Sequence, residues 1–386
     1  MLTVDPAYAS YPLIDSSLEK EISPDLEIIR TKSSESFSIY KKVSKSKSIP
    51  YGGFANERKE ISLKERVARF IRGNFFLPDP RKGWNKYALK AARELLQTSE
   101  IDAIITSSPP HSTQLIGRTL AKEFKLPWIA DFRDPWTDIY FYKEFYPTFF
   151  ADRYHRNWEK KILKEASLVI TVGRSLQKLF QDKMLQDREK VKIIHNGYDP
   201  EDFQNIKAKK DSKFSITYVG TLADSYPLTS FLKAVGKLMS ESRDIQLKFI
   251  GTISPKYLAQ ISALPAEQVS MIPYVEHNRA IEYMSHSNVL LLVIPSHFSS
   301  KSILTGKLFE YLAVERPILS LGPVDGDAAE IIRKSNAGTT IEAVQSDEIY
   351  NQLKDWQLKA PKIKANQDFN RKNLSALLAA HLDSLS

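Results

Sequence analysis

Lys301-Ser-Ile-Leu-Thr-Gly-Lys-Leu-Phe-Glu-Tyr-Leu-Ala-Val-Glu-Arg-Pro-Ile-Leu-Ser-Leu-Gly-Pro323 holds most of one repeating unit of an α/β sheet. It follows an apolar run, Val289 to Ile294, that Pro295 stops. Such a run reads as a strand buried on both faces of a parallel sheet. Ser296 to Ser302 is a polar loop, and Ile303 to Val314 is predicted to be helical, with Leu304, Leu308 and Leu312 on one stripe and Tyr311 at its edge. Pro317 closes the helix, and Ile318 to Leu321 is a second buried strand before the turn at Gly322-Pro323. Ligands of open parallel sheets sit at the carboxyl ends of strands, where helix N-termini point.

Thr305, Gly306 and Lys307 fall in the first turn of that helix. A cation opposes the helix dipole there, unless a phosphate sits on the free N–H groups and Gly306 allows it to come close. Glu310 follows one turn later on the same side, and a carboxylate's two acceptor oxygens suit the paired hydroxyls of a ribose. A solvated lysine and a surface glutamate fit the same spacing. The Walker phosphate loop is excluded, because its first glycine and the Ser/Thr after the lysine are both missing.

Moving outward, 386 residues are enough for two domains with ample cores. No apolar run approaches the ~20 residues that span a bilayer. The chain has no Cys, which excludes disulfides and thiolate metal sites. A net charge of +9 points to an anionic partner: a membrane surface, a phosphate-bearing substrate or nucleic acid. No recognised nucleic-acid module accompanies the basic stretch, so nucleic acid is not expected.

Leu2 to Val4 and Leu26 to Arg30 read as short strands, with loop and short helix expected over Pro12 to Asp25. From Lys41 to Arg93 the chain is basic and weakly patterned. Within it, Lys64 to Arg72 sets Val67, Phe70 and Ile71 against a basic side, and Phe75, Phe76 and Trp84 follow among Arg81, Lys82 and Lys86. The pattern fits a membrane-surface helix or a helix packed on its own domain. Strands are then predicted at Ile101 to Thr106, Pro127 to Ala130, Leu168 to Val172 and Val191 to His195, alternating with helices at Ser112 to Phe124, Ala151 to Ala166 and Ser175 to Gln181. The polar, Lys-rich Pro200 to Ser212 is a hinge candidate. A second series opens at Phe214 to Val219, which ends in Gly220-Thr221, and closes with a helix over Phe369 to Leu385. The reading is α/β, two Rossmann-like domains (1–200 and 201–386) facing across a cleft.

Ile194-His-Asn-Gly-Tyr-Asp199, Tyr218-Val-Gly-Thr221 and Gly306-Lys-Leu-Phe-Glu-Tyr-Leu-Ala313 together resemble retaining glycosyltransferases of family 4, which have the GT-B fold. The resemblance implies a second domain that binds a nucleotide-sugar and a first domain that binds the acceptor. It implies that Glu310 holds the ribose hydroxyls and that Lys307, with the Thr305-Gly306 backbone, meets the diphosphate; Gly220, Thr221, Lys301 and Ser302 complete the expected donor set. Three departures accompany it. Ser302 stands where the family's first motif glutamate belongs. Thr221 and Pro227 stand where its Arg and Lys belong, which leaves Lys307 and Lys301 as the phosphate charges. Leu2 to Val4 looks like the family's second strand, so a strand, Gly-rich turn and helix are expected to be missing and the first domain incomplete.

His111 is the expected cleft-facing catalytic partner of Lys307, though a solvated loop histidine fits its place as well. Asp131, Arg133 and Asp134 are expected to orient the acceptor or to pair with one another. Asp325-Gly-Asp327 has a metal-binding look but opens a helix, where Asp is a common cap, so no metal or other cofactor is expected. The leading expectation is sugar transfer with retention to a glycan or lipid-linked acceptor, as in polysaccharide biosynthesis, by a cytoplasmic protein peripheral to the inner membrane face. The alternatives are a nucleotide-sugar epimerase of the same fold, whose motifs are not evident, and a non-catalytic or truncated donor-binding partner protein.

Overall fold

The computed structural model describes residues 1–9, 22–34, 63–204 and 211–385. The expected loop over Pro12 to Asp25 lies mostly outside these residues, and the hinge candidate partly so. The chain opens with β1 (Leu2–Val4) and β2 (Ile29–Thr31), paired in parallel. Helices α1 (Leu63–Phe75) and α2 (Asn85–Thr98) follow. Strand β3 (Ile104–Ser108), α3 (Ser112–Phe124), β4 (Trp128–Phe132), α4 (Phe149–Glu165), β5 (Leu168–Thr171), α5 (Arg174–Lys183) and β6 (Val191–Ile193) alternate. The four strands form a parallel sheet in the order β3-β4-β5-β6.

The second half runs β7 (Phe214–Val219), α6 (Thr229–Glu241), β8 (Ile245–Ile250), α7 (Pro255–Ile261), β9 (Val269–Ile272), α8 (His277–His286), β10 (Val289–Val293), α9 (Gly306–Ala313), β11 (Ile318–Leu321), α10 (Asp327–Lys334) and β12 (Gly338–Ile341). Two helices close the chain, α11 (Ser346–Lys359) and α12 (Arg371–Asp383). The six strands are parallel, ordered β12-β11-β10-β7-β8-β9. Every residue of β4, β5, β10 and β11 is buried, which is what near-continuous apolar runs give in a sheet covered by helices on both faces. Two apolar clusters line the faces of the larger sheet, one under α6 and α11, the other under α9 and α10.

Strand order reverses at β7. From it the chain builds outward through β8 and β9, then returns to β10 on the other side. The gap between β7 and β10 is therefore the switch point, where the turns after two neighbouring strands part and leave a crevice. Helix α12 leaves this half of the molecule. Its Leu374 is buried with Ile129, Leu168, Ile170 and Ile194 of the four-stranded sheet, with Leu378 and Leu382 beside it.

Four helices differ from the sequence reading. Helix α2 forms across the end of the weakly patterned basic region, and α7 and α11 are not among the helices the spacing predicts. Helix α9 begins at Gly306, not Ile303, because Thr305 is still extended and a short 3-10 turn occupies Ser300–Ser302. Leu304 thus stands before the helix, while Leu308, Tyr311 and Leu312 are fully buried on it.

The outer edges of β1 and β3 line a common apolar groove of about 1230 Å³, which also takes in Trp84, Leu96, Ile116 and Leu120. Its other end reaches His111, Trp136 and Tyr140.

Candidate active site

Two glycines shape the switch-point crevice. Gly220, at the end of β7, has φ +114°, in the region that favours glycine, and a Cβ there would lie 2.9 Å from the Lys307 amine. Gly306 is the first residue of α9, and a Cβ there would meet nothing within 4 Å. The N-terminus of α9 therefore has an open side, with free N–H groups and a positive dipole end turned to it.

Lys307 is folded back beneath the β7 turn. Its Nζ donates to the Tyr218 hydroxyl at 3.0 Å and lies 4.4 Å from the centre of that ring. Tyr218 in turn donates to the Thr221 carbonyl at 2.8 Å, so Thr221 contributes its backbone to the site. Burial pulls the Lys307 amine down to about 8, against a smaller upward pull from Glu310. The Glu310 carboxyl is held above its usual range by burial, with Asp202 pushing the same way and His277, Lys307 and Arg371 opposing. Among the described residues, no hydrogen bond or ion pair engages the Glu310 carboxylate. It is an acceptor left open. The Thr305 hydroxyl is likewise buried without a partner, one residue before the helix.

The other two expected donor residues are drawn elsewhere. Lys301 is exposed and pairs with Asp325. Ser302 turns its hydroxyl to the Ser299 carbonyl at 2.8 Å within its own 3-10 turn. Both are held by local loop geometry, which helical spacing could not anticipate.

On the first-domain side, His111 is not a solvated loop residue. It stands at the start of α3 and stacks on Trp136, ring centres 4.7 Å apart and planes nearly parallel. Burial, with smaller contributions from His155 and Lys183, lowers its pKa to about 3, and its Nδ1 is buried without a partner. Trp136 is fixed from behind by donating its indole N–H to His155 Nδ1 at 3.0 Å. His111 is thus a neutral imidazole held at the groove wall.

Asp131 lies within β4 rather than after it. It accepts from Arg133 Nε and from the Ser107 hydroxyl, both at 2.8 Å. The Arg133 guanidinium continues to the Ile194 carbonyl and Asn196 Oδ1, each at 3.2 Å. This is the internal pair, tying the β3, β4 and β6 ends together. Asp134 lines the groove apart from it.

The two halves meet beside these sites. Tyr140 packs edge-to-face on His297, from the loop after β10, at 4.7 Å. Asp327 does not cap its own helix, where Gly326 holds that position. It accepts instead from the Ser175 N–H, at 3.0 Å for the nearer oxygen, and from the Ser175 hydroxyl at 2.7 Å, capping α5 across the interface. Arg174 and Glu330 add an ion pair at 2.7 Å. Spacing gave no hint that Tyr218 holds Lys307 or that Asp327 caps the helix at Ser175, since these partners are far apart in sequence.

Two Rossmann-like units, a switch-point crevice on the second and a neighbouring groove on the first make this a GT-B type glycosyltransferase fold. A family model described as Glycosyltransferase Family 4 matches residues 51–202, and one described as Glycosyl transferases group 1 matches residues 213–356. The chain belongs to the family-4 type of glycosyltransferase. Sucrose-phosphate synthase from Thermosynechococcus elongatus is similar in fold, with TM-score 0.62 and 14% identity over 100% of this chain and 88% of that one. HepE from Anabaena, solved with UDP, has TM-score 0.56 and 14% identity over 77% of this chain and 82% of its own. A Rickettsia africae glycosyltransferase has TM-score 0.55 and 12% identity over 85% and 84%. No curated protein matches the chain.

Proposed function

We propose that the protein transfers a sugar, with retention of configuration, from a nucleotide-sugar to a glycan or lipid-linked acceptor at the cytoplasmic face of a membrane. The observation that carries the reading is the Glu310 carboxylate, unengaged, beside the open N-terminus of α9 and the Lys307 amine. HepE has been solved with UDP and with UDP-glucose, which supports a donor of that chemistry for a chain of the same fold.

In this reading Glu310 accepts from the ribose hydroxyls. The diphosphate lies on the N–H groups at Gly306, close to Gly220, where any side chain would meet the Lys307 amine. As the sugar–phosphate bond breaks, negative charge grows on the diphosphate, and Lys307 and the helix dipole stabilise it. The acceptor hydroxyl oxygen bonds to the anomeric carbon on the face the diphosphate leaves, and its proton passes to the departing phosphate oxygen, which gives retention without a covalent intermediate. Asp325 and Asp327 are already engaged by Lys301 and Ser175, so the diphosphate charge falls to Lys307 rather than to a cation at that pair. His111, neutral, serves as a hydrogen-bonding group at the groove wall rather than as a charged acid.

A second reading, a donor-binding module without transfer, draws on the groove that divides β1 from β3 in the first domain. Calorimetric titration with a panel of nucleotides and nucleotide-sugars, alongside an assay of donor turnover, separates the two. Glu310→Gln should weaken nucleotide binding by about 1.5–3 kcal/mol, the range for a hydrogen bond to a charged group, with the fold intact. Equal affinity of wild type and variant for a nucleotide that binds would refute the ribose assignment. Binding without turnover, with every acceptor class tried, favours the second reading.

A further inference from the structure

Helix α1 buries Ala68 and the charged Arg69 while leaving apolar residues in water. Arg69 is buried, paired with Glu144 at 2.7 Å and Glu65 at 3.3 Å, and the Arg72 guanidinium lies 4.7 Å from the centre of the Phe145 ring. Its outward side carries Leu63, Val67 and Phe70 at spacings of four and three, all exposed. An ordinary surface helix buries such a stripe.

The exposed stripe continues onto a second element. At the end of α1, the Asn74 amide donates to the Tyr146 carbonyl at 3.1 Å, and its oxygen accepts from the Thr148 N–H at 2.7 Å. This clamp sets Phe75, 73% exposed, beside the first turn of α4, where Phe149 and Phe150 are 72% and 81% exposed. Large aromatic rings left this far in water, close together, mark an interaction site.

The charge around the patch has one sign. Lys64 and Arg66 flank the stripe, and Arg66 also lies over the Tyr146 ring at 5.8 Å. Arg153, exposed, stands one turn from Phe149 and Phe150 on the same face of α4. The nearby carboxylates are taken up by partners: Glu65 and Glu144 by Arg69, Asp152 by Arg156 and Tyr142.

We infer that this face of α1 and α4 docks on an anionic lipid surface. Phe75, Phe149, Phe150 and the α1 stripe would enter the boundary between headgroups and acyl chains, with Lys64, Arg66 and Arg153 on headgroup phosphates. The complementary chemistry, apolar rings surrounded by cations on a chain of net charge +9, selects an anionic bilayer as the occupant. Arg72, Gly73, Phe145 and Pro147, just behind the patch, also line the groove that reaches His111. Docking therefore brings the groove to the lipid surface. The inference rests on the proposed activity only in giving it a lipid-borne acceptor; vesicle binding is read without sugar transfer, so each can fail alone.

The test is co-sedimentation of the full chain with vesicles of phosphatidylcholine and phosphatidylglycerol, and with phosphatidylcholine alone, at low and high salt. Wild type should pellet with the anionic vesicles and be released by salt. Lys64→Gln/Arg66→Gln/Arg153→Gln should lose about a hundredfold in partitioning, from roughly one tenfold step for each 1.4 kcal/mol and about 1 kcal/mol per cation. Phe149→Ser/Phe150→Ser should lose binding even at low salt, with nucleotide affinity unchanged. The charge variant, altered only at exposed positions, decides the matter if the aromatic one fails to fold. Wild type left in the supernatant overturns the inference, as does unaltered pelleting of the charge variant. So does a wild-type dimer by light scattering that Phe149→Ser/Phe150→Ser converts to monomer while neither binds vesicles.

Discussion

The Lys307 amine donates to the Tyr218 hydroxyl at 3.0 Å while sitting against the face of the same ring. One aromatic side chain thus supplies both the acceptor and the cation–π surface that keep a buried ammonium in place. Tyr218 is itself fixed, fully buried and bonded to the Thr221 carbonyl, so the lysine is aimed before any ligand arrives.

That arrangement makes nucleotide binding pH-dependent. Burial lowers the Lys307 pKa to about 8 in the free protein, and a bound diphosphate would raise it again. Because the bound state holds the proton more tightly, affinity should be full below pH 8 and fall as pH rises above it. Titrations in buffers of different ionisation enthalpy should show proton uptake between pH 8 and 9. Lys307→Met should bind weakly with no step near pH 8; a step that survives in the variant belongs to another group.

His111 and His155 set an acid limit on stability. Burial is the main cause that lowers their pKa values, to about 3 and about 4. From the ordinary value near 6.5 downward, the unfolded chain takes up protons that the folded one refuses, so stability is lost as pH falls from 6.5 toward those values. Denaturant midpoints measured between pH 7 and 5 should fall, and fall less for His111→Asn. The His111 ring protons should not titrate by NMR over that range. A His111 titration midpoint near 6.5 would contradict the burial argument.

Asp327 should act as a clasp between the halves. It caps the N-terminus of α5 from the far side of the interface, through the Ser175 N–H and hydroxyl. Removing a capping side chain typically costs about 1 kcal/mol, within a range of 0.5–2. Asp327→Ala should lower the denaturation midpoint by that order and speed amide exchange in the first turn of α5. Asp327→Asn, which keeps one acceptor oxygen, should fall between. Unchanged exchange at Ser175 in the alanine variant would show that the cap carries no energy.

The fold was readable because parallel strands buried on both faces are written as unbroken apolar runs, and β7, β10 and β11 lie where those runs predict. The boundaries of β3 and β4 shifted toward their carboxyl ends because Ser107, Ser108 and Asp131 pair in the ladder despite being polar. Gly306, Lys307 and Glu310 were legible as a set, since one short helix carries all three at fixed spacing. The rest of the site was not. Tyr218 reaches Lys307, Asp327 reaches Ser175, and Trp136 covers His111 through tertiary contacts with no sequence period. The amphipathic signal of α1 was legible too, but which face is exposed depends on Arg69 finding Glu144 75 positions away.

The last prediction concerns the edge of the smaller sheet. Successive residues of a parallel strand address opposite neighbours. Ile104 donates to the Pro127 carbonyl and Ser108 accepts from the Arg133 N–H, so Ile104, Thr106 and Ser108 turn to β4. Ile105 and Ser107 turn their N–H groups outward to the groove, where Ile105 is also 47% exposed. On β1, Met1 accepts from the Ile29 N–H and Asp5 donates to the Thr31 carbonyl, so Leu2 and Val4 face the same groove. In the six-stranded sheet, β7 and β10 have neighbours on both sides. Amides paired on an inner strand exchange only through large openings, whereas outward amides on an edge exchange from the native state. Hydrogen exchange resolved by residue should therefore show Ile105 and Ser107 exchanging fast, with Ile104 and Thr106 slower, and Ile216 to Tyr218 and Leu290 to Val293 slowest of all. The alternation within β3 is the diagnostic, since general softness of the first domain would speed all of its amides alike. Slow exchange at Ile105 and Ser107, matching β10, would mean that in solution something pairs with the β3 edge and fills the groove.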